Sequence, residues 1–329
     1  MDIFSFVGEL GSTLLTVTLP VFVLLFLVLL LEEKGMLAAD RILERHPRLG
    51  PLLGALLSAI PGCTGGIVVS RLYLTGGATP ATLLAAHLAT MGDASFVLWA
   101  GRPLTALGLT LAAAFVGTVV GSLLSRYART ALAPPPQCRL DEEEGTLPLW
   151  AATVWIVLLA ATLLVSRLGK LPLLVTLALF VVATVLSVRL RSPLLLFAKP
   201  PWRAAFVQSV ADASEITLWV LVGDLIFLLG NALTHERLGH FLAGNSLLVV
   251  AASAAVGMIP GCGPQIVVAR LYTAGQLPFA ALLANTISQH GDALFPLLHT
   301  SRRQAGILTL LGAGVGLVAG LLYAAAVHL

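Results

Sequence analysis

Apolar runs of about twenty residues, separated by short charged stretches, fill most of the chain: 10–31, 79–100, 104–126, 148–168, 171–190, 206–230, 278–299 and 304–327. A helix needs about 20 apolar residues to cross a ~30 Å hydrocarbon core, so each run predicts a membrane span. Two further apolar pieces, 50–75 and 245–274, carry a Pro-Gly-Cys turn in their middle, beginning at Pro61 and Pro260. Proline ends a helix and glycine permits the turn, so each piece predicts two half-helices joined by a tip. The tips are Pro61–Gly65 and Pro260–Gln265.

The two pieces belong to a longer duplication. Pro260 follows Pro61 by 199 residues, and the match continues ungapped: Arg71-Leu72-Tyr73 falls on Arg270-Leu271-Tyr272, and Gly92-Asp93-Ala94 on Gly291-Asp292-Ala293. Gly117 and Gly121 fall on Gly316 and Gly320, each a small-xxx-small pair suited to close helix packing. Residues 1–128 and 200–329 therefore read as two copies of one unit. Residues 129–199 read as a loop and a two-helix connector.

Charge decides how the broken pieces cross. Lys and Arg concentrate on the cytoplasmic side of membrane proteins. With the acidic N-terminus outside, spanning pieces divide the cations ten to nine, which is no bias. Re-entrant hairpins divide them fourteen inside to five outside, leaving only Arg102, Arg167, Lys170, Arg237 and Arg270 outside. Hairpins are the better reading. Each copy then has three full spans and one hairpin, the second copy enters inverted, and both termini face outward. The predicted fold is an all-α polytopic membrane protein built from two inverted repeats, an arrangement used by many secondary transporters. A bacterial-type inner membrane is its expected place.

Composition narrows the function. The chain is 58% hydrophobic and 11% charged, against about 25% charged for soluble domains. Its net charge of +3 comes from cations between spans, so it speaks to topology and implies no nucleic-acid partner. The expected partners are the bilayer, a small inorganic ion and, as a further option, a second copy. The leader before the first run carries Asp2 and Glu9 without Lys or Arg, so that run reads as a retained span. Cys138 lies in a polar loop, and three cysteines make no disulfide framework. His235 and His240 have the wrong spacing for a helical metal face, and the Asp141–Glu144 run reads as solvated loop.

Irregular backbone inside a membrane survives only where protein or an aqueous cavity surrounds it. Each tip offers helix N–H groups and free carbonyls for binding an ion. Gly62, Cys63, Thr64, Gly261, Cys262 and Gln265 line the tips, and Asp93, Gln289 and Asp292 follow inside the next span. A carboxylate there costs about 3 kcal/mol, so Asp93 and Asp292 need a purpose. Cys63, Met91, Asp93, Cys262, His290 and Asp292 supply mixed S, N and O metal ligands, which suit a first-row divalent ion. Helix N-termini favour an anion instead. Asp93 and Asp292, with Asp212, Glu215 and Asp224 of the second copy, are candidate proton carriers. A dyad of Gly-Asp elements also evokes an intramembrane aspartyl protease, but that leaves the hairpins without a role, and no enzyme or cofactor is expected.

The paired Pro-Gly-Cys segments followed by Gly-Asp-Ala helices resemble a family of ten-helix heavy-metal exporters, also labelled manganese transporters and related to arsenical permeases. The resemblance covers both repeats. It implies a secondary transporter that exports manganese or a similar divalent cation, with proton antiport as the expected coupling and a metalloid, organoarsenical or other anion as the alternative cargo. Re-entrant hairpins put Thr75 and Ala274 on opposite faces of the membrane. Single cysteines at these positions, in a cysteine-free background, should react with an impermeant thiol reagent from opposite sides. Labelling from one side would favour parallel repeats.

Overall fold

Helices form every regular element among the residues that the computed structural model describes, which are 18–27, 49–132, 149–165, 178–186, 202–233 and 246–328. Cys138, the Asp141–Glu144 run, His235 and His240 lie outside the described residues. In chain order the helices are α1 (Thr18–Leu27), α2 (Gly50–Ser58), α3 (Thr64–Thr75), α4 (Pro80–Ala89), α5 (Ala94–Gly101), α6 (Pro103–Leu123) and α7 (Ser125–Ala131). Then follow α8 (Leu149–Val165), α9 (178–186), α10 (Trp202–Leu233), α11 (Ser246–Gly257), α12 (Gly263–Thr273) and α13 (Phe279–Ser288). A 3₁₀ turn (Gly291–Leu294), α14 (Phe295–Thr300) and α15 (Arg302–His328) complete the chain.

The chain divides into two compact units that cut across the sequence copies. One takes α1, α8, α9 and α10 as far as Asp224. Its interior is aromatic: Trp155 packs against Phe22 and Phe180 at ring separations of 6.1 and 5.3 Å, and its Nε1 donates to Thr184 Oγ1. Thr18 and Thr217, repeat equivalents, share a hydrogen bond of 3.1 Å.

The second unit holds the Pro-Gly-Cys segments. Within each copy a long helix packs on a half-helix through the duplicated glycines. A Cβ on Gly117 would lie 2.5 Å from the Ala85 carbonyl, and one on Gly316 would lie 2.5 Å from that of Ala284. The next turn repeats the contact, Gly121 against Ala81 and Ala85, Gly320 against Ala280 and Ala284. The opposite face of α6 presents Leu104, Leu107, Leu111, Phe115, Val119 and Leu123, with Leu104 85% exposed. Small residues inside and large apolar ones outside invert the soluble arrangement and suit a lipid solvent. At 21 residues, α6 is about 31 Å long, one bilayer core.

The sequence pattern predicts continuous helices over 79–100 and 278–299. The structure breaks both. Thr90 is extended (ψ 120°), Gly92 sits at φ 58°, and α5 begins only at Ala94. In the second copy Gln289 is extended (ψ 153°) and Gly291 sits at φ 52°. An isolated glycine in an apolar run is tolerated within a helix, but a left-handed residue is not, and glycine takes that conformation without strain. Within each copy, therefore, helical spacing does not put Asp93 on one face with Thr90, nor Asp292 on one face with Gln289.

The copies meet reciprocally. α3 of the first packs on the 3₁₀ turn and α14 of the second, while α12 of the second packs on α5 of the first. Each side thus offers the other the same pair of surfaces, the pattern of a two-fold contact. Gly117→Val and Gly316→Val should each cost at least about 1–3 kcal/mol through overpacking, read as lower folded yield and melting temperature in detergent. Gly108→Val, where a side chain would meet nothing within 4 Å, should behave as wild type.

Candidate metal centre

Four chain breaks converge in the second unit, and each ends against a helix N-terminus. Cys63 occupies the N-cap of α3, Cys262 that of α12 and Asp93 that of α5; none of the three makes a side-chain cap bond. Asp292 lies in the 3₁₀ turn that precedes α14. Pro61 and Pro260 stop the preceding half-helices, and Gly62 (φ 102°) and Gly261 (φ 101°) turn the chain. In the first copy Ser95 ties its two breaks together. Its hydroxyl donates to Gly92 O at 2.6 Å and accepts from Gly62 N at 3.2 Å, while Gly62 N also reaches Gly92 O.

The ligand atoms of Cys63, Asp93, Cys262 and Asp292 all lie within 4.8 Å of one another. Both cysteines are free thiols and buried, and both carboxylates are partly exposed. A Cβ on Gly291 would sit 2.7 Å from Cys63 Sγ and 2.8 Å from Cys262 Sγ, so this glycine makes room for the sulfur pair.

Two glutamines of the second copy brace the first. Gln265 Nε2 donates to Met91 O at 3.0 Å, and Gln289 Nε2 to its own repeat equivalent, Thr90 O, at 2.5 Å. These bonds satisfy carbonyls that the α4–α5 break strands. The amide oxygens of both glutamines are buried without a hydrogen-bond partner. Gln289 Oε1 borders the sulfur pair, 3.4 Å from a Cβ placed on Gly291.

Of the residues singled out from sequence, Cys63, Asp93, Cys262, Asp292, Gln265 and Gln289 gather here, with Gly62 and Gly261 in the turns. Thr64 opens α3. Met91 is buried and contributes its carbonyl to the Gln265 bond. His290 lies outside the four-ligand group; its Nε2 meets Leu308 O at 3.2 Å and its ring stacks edge-on against His87. Asp212, Glu215 and Asp224 belong to α10 in the other unit, with Asp224 buried. His87 and Ser70 were not among the candidate site residues. An imidazole in a predicted lipid-embedded run was the available signal.

Fold and site together define a multi-pass helical membrane protein whose internal copies join at a sulfur and carboxylate cluster. The sequence matches the family described as "Putative, 10TM heavy-metal exporter" over residues 10–198 and again over 198–326. The chain belongs to that family. No curated protein and no solved structure matches it.

Phenylarsine oxide bridges only thiols held close together and should bind the purified protein through Cys63 and Cys262. Gly291→Ala places a methyl group between the sulfurs at a left-handed residue. It should weaken that binding by about 10-fold or more, in the range seen when the support of a ligand is lost. Stoichiometric labelling at wild-type affinity would show that the sulfurs do not depend on this glycine.

Proposed function

We propose that this protein is a secondary transporter that exports a divalent heavy-metal ion through a site built by both copies. One observation carries this reading: two thiols and two carboxylates from four chain breaks lie within 4.8 Å of one another. Ligands bound about 2.0–2.3 Å from a single ion are at most about 4.6 Å apart, so drawing the ligand atoms slightly inward lets one ion touch all four. Carboxylates accept manganese, and thiolates rank softer ions such as zinc and cadmium above it. Thiolates and carboxylates attract a cation and repel an anionic cargo, which favours a metal ion over an anion. The sulfur pair also suits a trivalent arsenical, which is the second reading.

Contacts within the second unit support re-entrant hairpins. Gly50 packs on Thr82, and Gly54 on Thr82 and Ala86, so α2 runs in the same direction as α4. Residues 76–79 alone join the end of α3 to the start of α4. The start of α2 and the end of α3 thus lie at the same end of the unit, as a hairpin requires. The 12 residues of α3 and the 10 of α4 rise about 18 and 15 Å. These lengths bring the breaks close to the middle of a ~30 Å core. With the cation bias, they make the midplane the natural depth of the site and inverted repeats its frame.

Moving a divalent cation out against an inside-negative potential of 100 mV costs about 4.6 kcal/mol. Inward proton flow offsets that cost, and Asp93, Asp292, Asp212, Glu215 and Asp224 are the acids available to carry it. In proteoliposomes, cargo movement should drive proton counterflow and respond to an imposed pH gradient. Indifference to both would replace antiport by facilitated diffusion or another coupling ion. Asp93→Asn and Asp292→Asn should each abolish transport without loss of folded protein. Cys63→Ser and Cys262→Ser should lower zinc affinity on the order of 100-fold and manganese affinity less. Unchanged transport in all four would remove the cluster from the pathway, and arsenite transport without metal transport would favour the second reading.

A further inference from the structure

His87 of α4 and His290, just beyond α13, come from different copies and meet with ring centroids 5.1 Å apart. Both are buried, at 0% and 2% exposure. Their hydrogen bonds fix their tautomers. Ser70 has one hydroxyl proton and donates it to Ala293 O at 2.9 Å, so the 2.8 Å contact between Ser70 Oγ and His87 Nε2 requires Nε2–H as donor. His290 Nε2 faces Leu308 O, which only accepts, so it too carries the proton. Each ring is left with an unprotonated Nδ1, and both Nδ1 atoms are buried without a hydrogen-bond partner. The His87 carbonyl lies beside the His290 ring but makes no bond to Nδ1.

Metal-ligating histidines share this arrangement: one nitrogen donates to a fixed oxygen, which sets the tautomer, and the other offers its lone pair to the ion. The ring separation fits as well. With metal–nitrogen bonds of about 2.1 Å and a near-tetrahedral angle, two imidazoles on one ion have centroids roughly 5 Å apart. Burying two lone-pair acceptors unpaired is otherwise unfavourable by about 1–3 kcal/mol each.

We propose that His87 and His290 form a second metal station, separate from the cysteine and aspartate cluster, that takes a borderline divalent ion through their two Nδ1 atoms. It rests on the reading of the protein as a metal exporter and adds a second stop to the path. The repeat equivalents of these residues are Thr286 and Met91, so exchanging the copies does not regenerate the pair. The thiolate and carboxylate cluster is two-fold in composition; the imidazole station is single. An ion leaving a tight anionic site meets a neutral and weaker one, and stepwise release of this kind keeps a binding path conductive.

Cobalt(II) tests the proposal, because its absorption separates thiolate from imidazole ligation. Detergent-purified wild-type protein should bind two equivalents, one with a sulfur-to-cobalt charge-transfer band. His87→Ala/His290→Ala should lose one equivalent and keep the band. His87→Gln/His290→Gln, which retains polar contacts, should do the same while melting near the wild-type temperature. Cys63→Ser/Cys262→Ser should lose the band and keep the other equivalent. Retention of two equivalents in both histidine variants would overturn the station, as would a wild type that binds one ion unaffected by them. Loss of binding in the histidine variants with no change in the cysteine variant would uphold the station and overturn the four-ligand site.

Discussion

Backbone groups stripped of helical partners are the constraint from which the rest of this structure follows. In an apolar surround each stranded N–H or C=O costs several kcal/mol, so a membrane chain breaks its helices only where something answers them. Here each copy has two breaks, around Gly62 and Gly92 and around Gly261 and Gly291. Ser95 joins the first two. The carbonyls of Thr90 and Met91 are answered by Gln289 and Gln265 of the other copy. Polar backbone thus draws the copies together at their breaks, and the four ligands arrive at one point with them: Cys63, Cys262 and Asp93 stand at the N-cap positions where helices restart, and Asp292 stands in the 3₁₀ turn before α14.

Close approach needs small residues, and the second unit supplies them where helices touch. Ala55, Ala85 and Ala89 form one buried cluster; Ala254, Ala280, Ala281, Ala284 and Ala324 belong to another, with Val249 and Val250. Glycines of α6 and α15 lie against the carbonyls of the facing half-helices. Bulk apolar side chains such as Leu104, Phe115 and Leu310 point outward instead. Little hydrophobic driving force acts between helices in lipid, so tight van der Waals contact takes its place. The rigidity of that contact holds the breaks in register.

The duplication was legible because an ungapped offset of 199 residues leaves few alternatives, and in the structure some residues face their own equivalents. Thr18 with Thr217 and Thr90 with Gln289 do so. The helix restarts at Thr64 and Gly263 were legible from Pro-Gly-Cys. The breaks at Gly92 and Gly291 were not, since a lone glycine in an apolar run costs a helix only about 1 kcal/mol and gives no sign of its φ. The division into units was also hidden. It depends on which copies' surfaces meet, and a periodic pattern reports that a face is apolar without naming what covers it.

The reciprocal packing of the copies bears on how the chain is made. Ser70 of α3 finds its acceptor in Ala293, 223 residues further on. At about 5–20 residues per second, that partner leaves the ribosome roughly 10–45 s later. Throughout this interval Ser70 and the broken backbone at Thr90 and Met91 lack their eventual partners in the second copy. The first copy is therefore a waiting half, complete in sequence and unfinished in energy. Synthesis of the second copy ends the wait, which makes the nascent protein most exposed to membrane quality control midway through its own translation.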